Sequence, residues 1–224
     1  LRRGELLERK LGDLKGAREC YEALLDDELV GSRAETRLRD IYRAEEDWKA
    51  LLELNERALA RTAAPDARIR LLMEMATVQR ELETPEAAAA LLHEVLQLDP
   101  GHRRALAAYE DYFREKGDYR NLAELLRFSA ESAREQGAPP MEICSRLEEL
   151  AQISQDRLGD LPGALEAWQQ IEELHHDVRR SRESIERISR EMRRVQDIAR
   201  RLKYQVNQAI SPGERRQALK DMAE

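Results

Sequence analysis

The side chains able to do chemistry are scattered along this chain rather than gathered into motifs. Four histidines are present, His93, His102, His175 and His176, and none belongs to an HExxH or His-x3-His pair. No cysteine lies near one. A zinc site needs about four converging ligands, so these histidines read as exposed loop or helix-end residues. Cys20 and Cys144 sit far apart inside amphipathic helical patterns. They make neither a disulfide framework nor a metal site, and such usage suits a reducing compartment. No glycine-rich phosphate loop, dinucleotide fingerprint or nucleophile elbow occurs. Carboxylates are abundant but spread along helix faces, where i,i+4 pairs support a solvated surface. No catalysis, cofactor or metal is expected. Trp48, Trp168, Tyr109, Tyr112 and Phe113 lie at helical spacing, which suits packing between helices better than a stacking platform. Residues 178–203 hold ten Arg or Lys against four Asp or Glu, the one stretch suited to a polyanion.

The elements that must carry these side chains are helices. The 224 residues are 37% charged and only 4% aromatic, with a mean hydropathy of -0.72. Ala, Leu, Glu and Arg dominate, and they lose little side-chain freedom in a helix. Alternating β-branched runs are absent, so strands are not expected. No stretch approaches the roughly 18 apolar residues that cross a bilayer, and a cytoplasmic location is the expectation. The chain starts at Leu1 without a methionine and stops at DMAE in mid-pattern, which reads as a piece of a longer protein.

A short phrase occurs twice, as GDLKGARECY from Gly12 and as GDLPGALEAW from Gly159. Aligning the chain with itself at this offset of 147 needs no gap. Leu14 falls on Leu161, Gly16 on Gly163, Ala17 on Ala164, Leu38 on Ile185, Ile41 on Ile188, Leu51 on Ile198 and Pro65 on Pro212. Internal periodicity of this kind decides a fold. A shorter period lies inside it. Turn signals at Gly12-Asp13, Glu46-Asp47, Glu83-Thr84, Gly117-Asp118 and Gly159-Asp160 are 34, 37, 34 and 42 residues apart. A sixth is expected near residue 194, where the offset places Arg193-Arg194. In each signal the first residue ends a helix in a left-handed conformation and the second caps the next. Ser32 with Glu35, and Ser211 with Glu214, match a capping box. Within the second helices a small residue precedes a bulky one by four positions: Ala17 and Tyr21, Ala88 and Leu92, Ala164 and Trp168. Such pairs share a helix face. The alanine admits a neighbouring helix and the bulky residue fills the space beside it.

These features resemble the tetratricopeptide repeat (TPR) family, in the manner of bacterial multi-repeat scaffolds. The 34-residue period, the Gly-Asp turn, the small-then-bulky pair and the ending Leu96-Gln-Leu-Asp-Pro100 carry the likeness over essentially the whole chain. The resemblance implies an all-α, right-handed α-solenoid of about six helix-turn-helix repeats in a single solenoid. Their approximate bounds are 1–31, 32–65, 66–101, 102–138, 139–177 and 178–211, followed by a partial helix over 212–224. Repeats one and five read one residue longer in their first helix. The sixth lacks its Gly-Asp, so 178–209 reads either as a pair or as one long helix. A coiled coil is the competing architecture for Val178 to Lys203, but heptad seams do not continue through the Gly-Asp turns.

In this family the first helices line a concave face that binds peptides. Counting from each turn, that face presents Arg33, Thr36, Asp40 and Arg43; Arg70, Met73, Thr77 and Arg80; Arg104, Ala107, Asp111 and Arg114; and Arg180, Glu183, Arg187 and Arg190. Arginine opens and closes every set. Arginine forks pair bidentately with carboxylates, so the expected partner is a protein with an acidic or carboxylate-bearing segment. The lysine and asparagine pattern of the family's carboxylate clamp is not reproduced. Asp40 with Arg43, and Asp111 with Arg114, have the spacing to neutralise one another instead. RNA binding through 178–203 is the alternative function, set against a chain with net charge -7 and a pI of about 5.4.

Overall fold

The computed structural model describes residues 1–208 and 220, apart from 28, 175 and 176. The expectations for His175, His176, Ser211, Pro212 and the partial helix over 212–224 lie outside the described residues. All regular structure among the described residues is helical. In order these are α1 (Arg2–Leu6, continued as a π turn over Leu7–Leu11), α2 (Leu14–Glu22), α3 (Gly31–Ala44), α4 (Trp48–Arg61), α5 (Pro65–Glu81) and α6 (Pro85–Leu98). Then follow α7 (Arg103–Lys116), α8 (Tyr119–Glu135), α9 (Pro140–Asp156), α10 (Leu161–Glu173) and α11 (Val178–Gln208). Two compact units divide the chain, Leu1–Tyr112 and Phe113–Glu224.

The tight turns have one chemistry. Their first residue is left-handed, with φ of 64° at Gly12, 56° at Glu46, 55° at Glu83, 67° at Gly117 and 64° at Gly159. In four of the five the next residue is an aspartate that caps the following helix. Asp13 accepts from the Gly16 amide at 2.9 Å, Asp160 from Gly163 at 3.0 Å, and Asp47 and Asp118 from Ala50 and Asn121 at 3.2 Å. The two shorter caps are those to glycine. A Cβ on Gly16 or Gly163 would collide with the Asp13 or Asp160 carboxylate, so glycine here gives the cap its close approach. Thr84 breaks the pattern: its hydroxyl donates back to the Gln79 carbonyl at 2.8 Å and does not cap α6. Pro85 at the first helical position needs no partner for a missing N–H.

The turns differ in one further respect. The backbone N–H of Asp47, Thr84 and Asp118 closes on the carbonyl five residues back, at 2.8, 2.9 and 2.9 Å. That is the Schellman bond. Asp13 and Asp160 instead close on Leu7 and Ser154, six residues back, at 3.0 and 2.7 Å. This is the extra residue expected in repeats one and five; after α1 it is taken up by the π turn.

One sequence expectation is corrected, and one left open is decided. Ser32 and Glu35 do not form a capping box, because α3 already begins at Gly31. The Asp27 carboxylate instead accepts from the amides of Leu29 and Val30 at 2.9 and 3.1 Å. No turn interrupts 178–208: α11 runs unbroken past Arg193-Arg194, so the sixth helix pair is a single helix of 31 residues.

Within each unit a helix packs on the helices before and after it in sequence, from α1 to α6 in the first and from α8 to α11 in the second. Stability is then a sum of nearest-neighbour interfaces. The small-then-bulky pairs form those interfaces. Ala17, Tyr21 and Ala164 are fully buried, and Ala88, Leu92 and Trp168 are buried. Leu38, Ile41, Leu51 and Leu54 join the first pair, and Leu147, Ile171 and Ile188 are buried in the second unit. Two buried tyrosines in the first unit donate to carboxylates, Tyr21 to Glu8 and Tyr42 to Glu22, both at 2.8 Å. Burial, followed by these hydrogen bonds, pushes both phenols up to about 12. Burial works to raise the Glu22 carboxyl, but hydrogen bonds from Arg18 and Tyr42 outweigh it and hold the group below its ordinary range.

Candidate partner-binding face

The first helices α3, α5, α7 and α11 carry the expected face. Every residue of the four sets is exposed apart from the half-buried Met73, as spacing of three, seven and ten from one starting point demands. What the sequence left open is how many of these arginines are already engaged.

Several are. Arg43 on α3 pairs with Glu74 on α5, and with Asp40 on its own helix at 3.6 Å. Arg114 on α7 reaches Glu149 on α9 at 2.7 Å. Arg180 on α11 reaches Glu148 on α9 at 2.8 Å and lies over the Trp168 ring at 5.6 Å. Arg187 donates to Gln155 on α9 at 3.1 Å, and Arg190 to the Glu186 carbonyl at 3.2 Å. Arg43, Arg114 and Arg180 thus tie one first helix to the next. They act as bridges between repeats, and half-exposed bridges of this kind stabilise only modestly. Arg33, Arg70, Arg80 and Arg104 take part in none of the described ion pairs. Asp111 lies exposed on α7 beside Arg104 and Arg114 in the helical register.

A second group was not singled out from the sequence. Arg39 lies one position from the chosen stripe and is a hub of the first unit. It pairs with Glu35, donates to the fully buried Asn55 at 2.7 Å and approaches Glu74 at 3.8 Å. Arg61 at the end of α4 reaches Glu35 at 3.4 Å. Arg39, Arg61 and Arg70 line a pocket of about 470 Å³ between α3, α4 and α5, together with Glu35 and Glu74. The visible signal was the i,i+4 pair of Glu35 and Arg39. Its reach to α4 and α5 depends on how the hairpins stack, which spacing within one helix does not contain.

The remaining chemistry-bearing residues are not brought together. Cys144 is buried, and burial pushes its thiol up. Trp168 and Phe113 are buried, whereas Trp48, Tyr109 and Tyr112 are half-buried. Tyr109 stacks on Tyr112 at 6.1 Å and meets His93 edge-on at 6.3 Å. Among the described residues no helix is long and apolar enough to cross a membrane. On α11, Arg179, Arg180 and Arg182 pair with Glu183, Glu148 and Glu172. In the later part Arg200 approaches Asp197 at 3.9 Å, and Arg193, Arg194, Arg201 and Lys203 take part in none of the described ion pairs.

With the left-handed turn, the capping aspartate and the buried small-then-bulky pair in place, the hairpins resemble the tetratricopeptide repeat in these features. No protein-family model matches the chain, and no curated protein matches it in sequence. Solved structures do resemble it. The N-terminal domain of stress-induced protein-1 (STI-1) from C. elegans is 17% identical, over 55% of this chain and 98% of that one, with a TM-score of 0.42. The TPR-like repeats of a putative kinesin light chain from Podosopora anserina are 20% identical, over 79% and 94%, with a TM-score of 0.43. YrrB, described as a TPR protein with an unusual peptide-binding site, is 17% identical, over 81% and 87%, with a TM-score of 0.42.

Proposed function

We propose that this chain is a non-catalytic scaffold that holds an acidic segment of a partner protein on the exposed face of α3 and α5. The observation that carries this reading is the division of labour among the arginines. Arg39 and Arg43 are engaged in ion pairs, while Arg33, Arg70 and Arg80 stand exposed on the same face outside the described pairs. Arg70 also lines the pocket with Arg39 and Arg61. A guanidinium with an unused fork recognises a carboxylate bidentately. Stacked helices hold several such forks in fixed relation, which lowers the ordering cost of binding. No group on this face performs a chemical step.

The test is fluorescence anisotropy with a labelled Glu- and Asp-rich 12-residue peptide beside its Gln and Asn counterpart. The wild-type chain is expected to prefer the acidic peptide. The triple variant R33E, R70E, R80E should bind it at least tenfold more weakly with an unchanged melting temperature, since these exposed residues take part in none of the described ion pairs. Equal binding by the variant would remove the face from consideration. Displacement of the peptide by homopolymeric RNA from this same face would favour the polyanion alternative.

A further inference from the structure

The second half of α11 carries an apolar seam on which no other described helix packs. Ser181, Ile185, Ile188, Met192, Val195, Ala199, Leu202 and Val206 follow one another in alternating steps of four and three. This is the 3.5-residue repeat of a helix that meets another helix along its length. The first part is satisfied: Ser181 and Ile188 are fully buried, and α10 packs on α11. But α10 has 13 residues and α11 has 31. At 1.5 Å per residue, α10 covers roughly 20 Å of a helix about 46 Å long. Past Ile188 the seam residues Val195 and Ala199 are exposed and Met192, Leu202 and Val206 half-buried; Val195 is 55% exposed, and Ile198 beside the seam is 56% exposed. Past Arg190 the described ion pairs and hydrogen bonds do not link α11 to any other helix.

We infer that this seam docks an acidic amphipathic helix of another protein, lying end to end with α10 along the same line of α11. Two observations select that occupant. The seam continues an interface that α10 already makes, so a helix is the shape it fits. The flanks are basic: Arg190, Arg193, Arg194, Arg200, Arg201 and Lys203 against Glu191 and Asp197, a net charge of +4. A second copy of α11 would set two such flanks side by side, whereas an acidic helix neutralises them. Phosphate backbones need the charge but leave Val195, Leu202 and Val206 unused. This surface lies on different residues from the α3–α5 face and stands or falls separately from it.

The test uses the 224-residue chain and a designed 21-residue helical peptide with Leu at its a and d positions and Glu on its flanks. Controls are the same peptide with Lys flanks and a scrambled acidic peptide. Binding of the acidic helix alone is expected. V195D with L202D should weaken it at least tenfold, since both side chains lie on the seam past Ile188. The charge reversal R193E, R194E, R200E, R201E keeps the seam and should transfer preference to the Lys-flanked peptide. Circular dichroism checks that both variants remain helical. Failure of the acidic helix to bind, or equal binding by both variants, overturns the proposal. So does a seam used for something else. That would be binding of phosphatidylserine vesicles or a 20-nucleotide RNA that V195D with L202D abolishes, or concentration-dependent dimerisation in sedimentation that the same variant abolishes.

Discussion

Residues 31–61 and 178–208 are the same length and align without a gap at the offset of 147, yet they fold differently. The first is the hairpin of α3 and α4; the second is the single helix α11. Some apolar positions correspond, as in Leu38 with Ile185 and Leu51 with Ile198, but the buried Leu54 and Ala58 fall on Arg201 and Gln205. Burial differs too: Leu51 is 1% exposed and Ile198 is 56% exposed. The turn itself differs in two residues. At Glu46 the chain is left-handed, and Asp47 caps α4 through the Ala50 amide while accepting from Arg18 at 3.0 Å. At the counterpart, Arg193-Arg194, there is no acceptor to cap a new helix. Arginine is also among the better helix formers, so the helix continues. The turn residues and the apolar face of the second helix together decide whether the hairpin is made.

The strongest way to break this comparison is to supply the missing turn. Arg193→Gly with Arg194→Asp should split α11 and fold 195–208 back on 178–191 as α4 lies on α3. Spin labels at positions 182 and 204 would report it. In a straight helix they are separated by roughly 33 Å, and in a packed hairpin by about 10 Å. An unchanged long distance in the double variant would show that the apolar pattern of 178–208 cannot support a pair. The same variant should lose the acidic helix, because folding back covers Ile198 and Leu202.

The second comparison is between copies that agree. Ala17 and Ala164 occupy matched positions, both with no exposed surface. Leucine at either should force the neighbouring helices apart and cost about 1–3 kcal/mol, the usual penalty of overpacking. Thermal melts should show similar losses for the two single variants. A loss at Ala17 alone would mean that the second copy packs more loosely than its burial indicates.

How far the sequence revealed all this depended on the kind of information each feature needs. Turns and the small-then-bulky pairs were legible because each is decided within a few residues. Glu46 and Glu83 were recognised as turn residues only through their register with Gly12 and Gly117, since glutamate carries no turn signal of its own. Thr84 and Ser32 were misread because a hydroxyl can bond equally well to a nearby carbonyl, or sit inside the first turn. The exposed register of the arginine face followed from helix periodicity. The engagement of Arg43 with Glu74, and of Arg180 with Glu148, did not. Those partners are 31 and 32 residues away in sequence and meet only when hairpins stack.

Smaller effects separate the first hairpins from the rest. Tyr21 and Tyr42 have folded-state values of about 12 against an ordinary 10.0. Below pH 10 both states hold these protons and the tyrosines contribute their full stability. As pH rises from 10 towards 12 the unfolded chain ionises first, and that contribution is lost. Tyr42→Phe should remove part of this alkaline loss and cost about 1 kcal/mol at neutral pH through the missing bond to Glu22. Urea melts at pH 7 and pH 11 on both proteins would measure it. A loss of stability at pH 11 that is the same in the variant would place the alkaline sensitivity elsewhere.

The finest distinction is between turns that use glycine and turns that use glutamate. Gly12, Gly117 and Gly159 adopt φ near 65° at no steric cost, whereas Glu46 and Glu83 hold the same backbone with a Cβ. A left-handed non-glycine residue costs about 1–2 kcal/mol. Replacing it by glycine returns that energy but adds about 0.5–1 kcal/mol of chain entropy to the unfolded state. Neither glutamate side chain takes part in a described ion pair that would be lost. Glu46→Gly and Glu83→Gly should therefore each stabilise by about 0.5–1 kcal/mol, and Gly117→Glu should destabilise by a similar amount. A denaturant midpoint that does not move in the two glycine variants would mean that the turns hold glutamate without strain. The aspartate cap and the Schellman bond would then suffice to define the turn whatever residue precedes the cap.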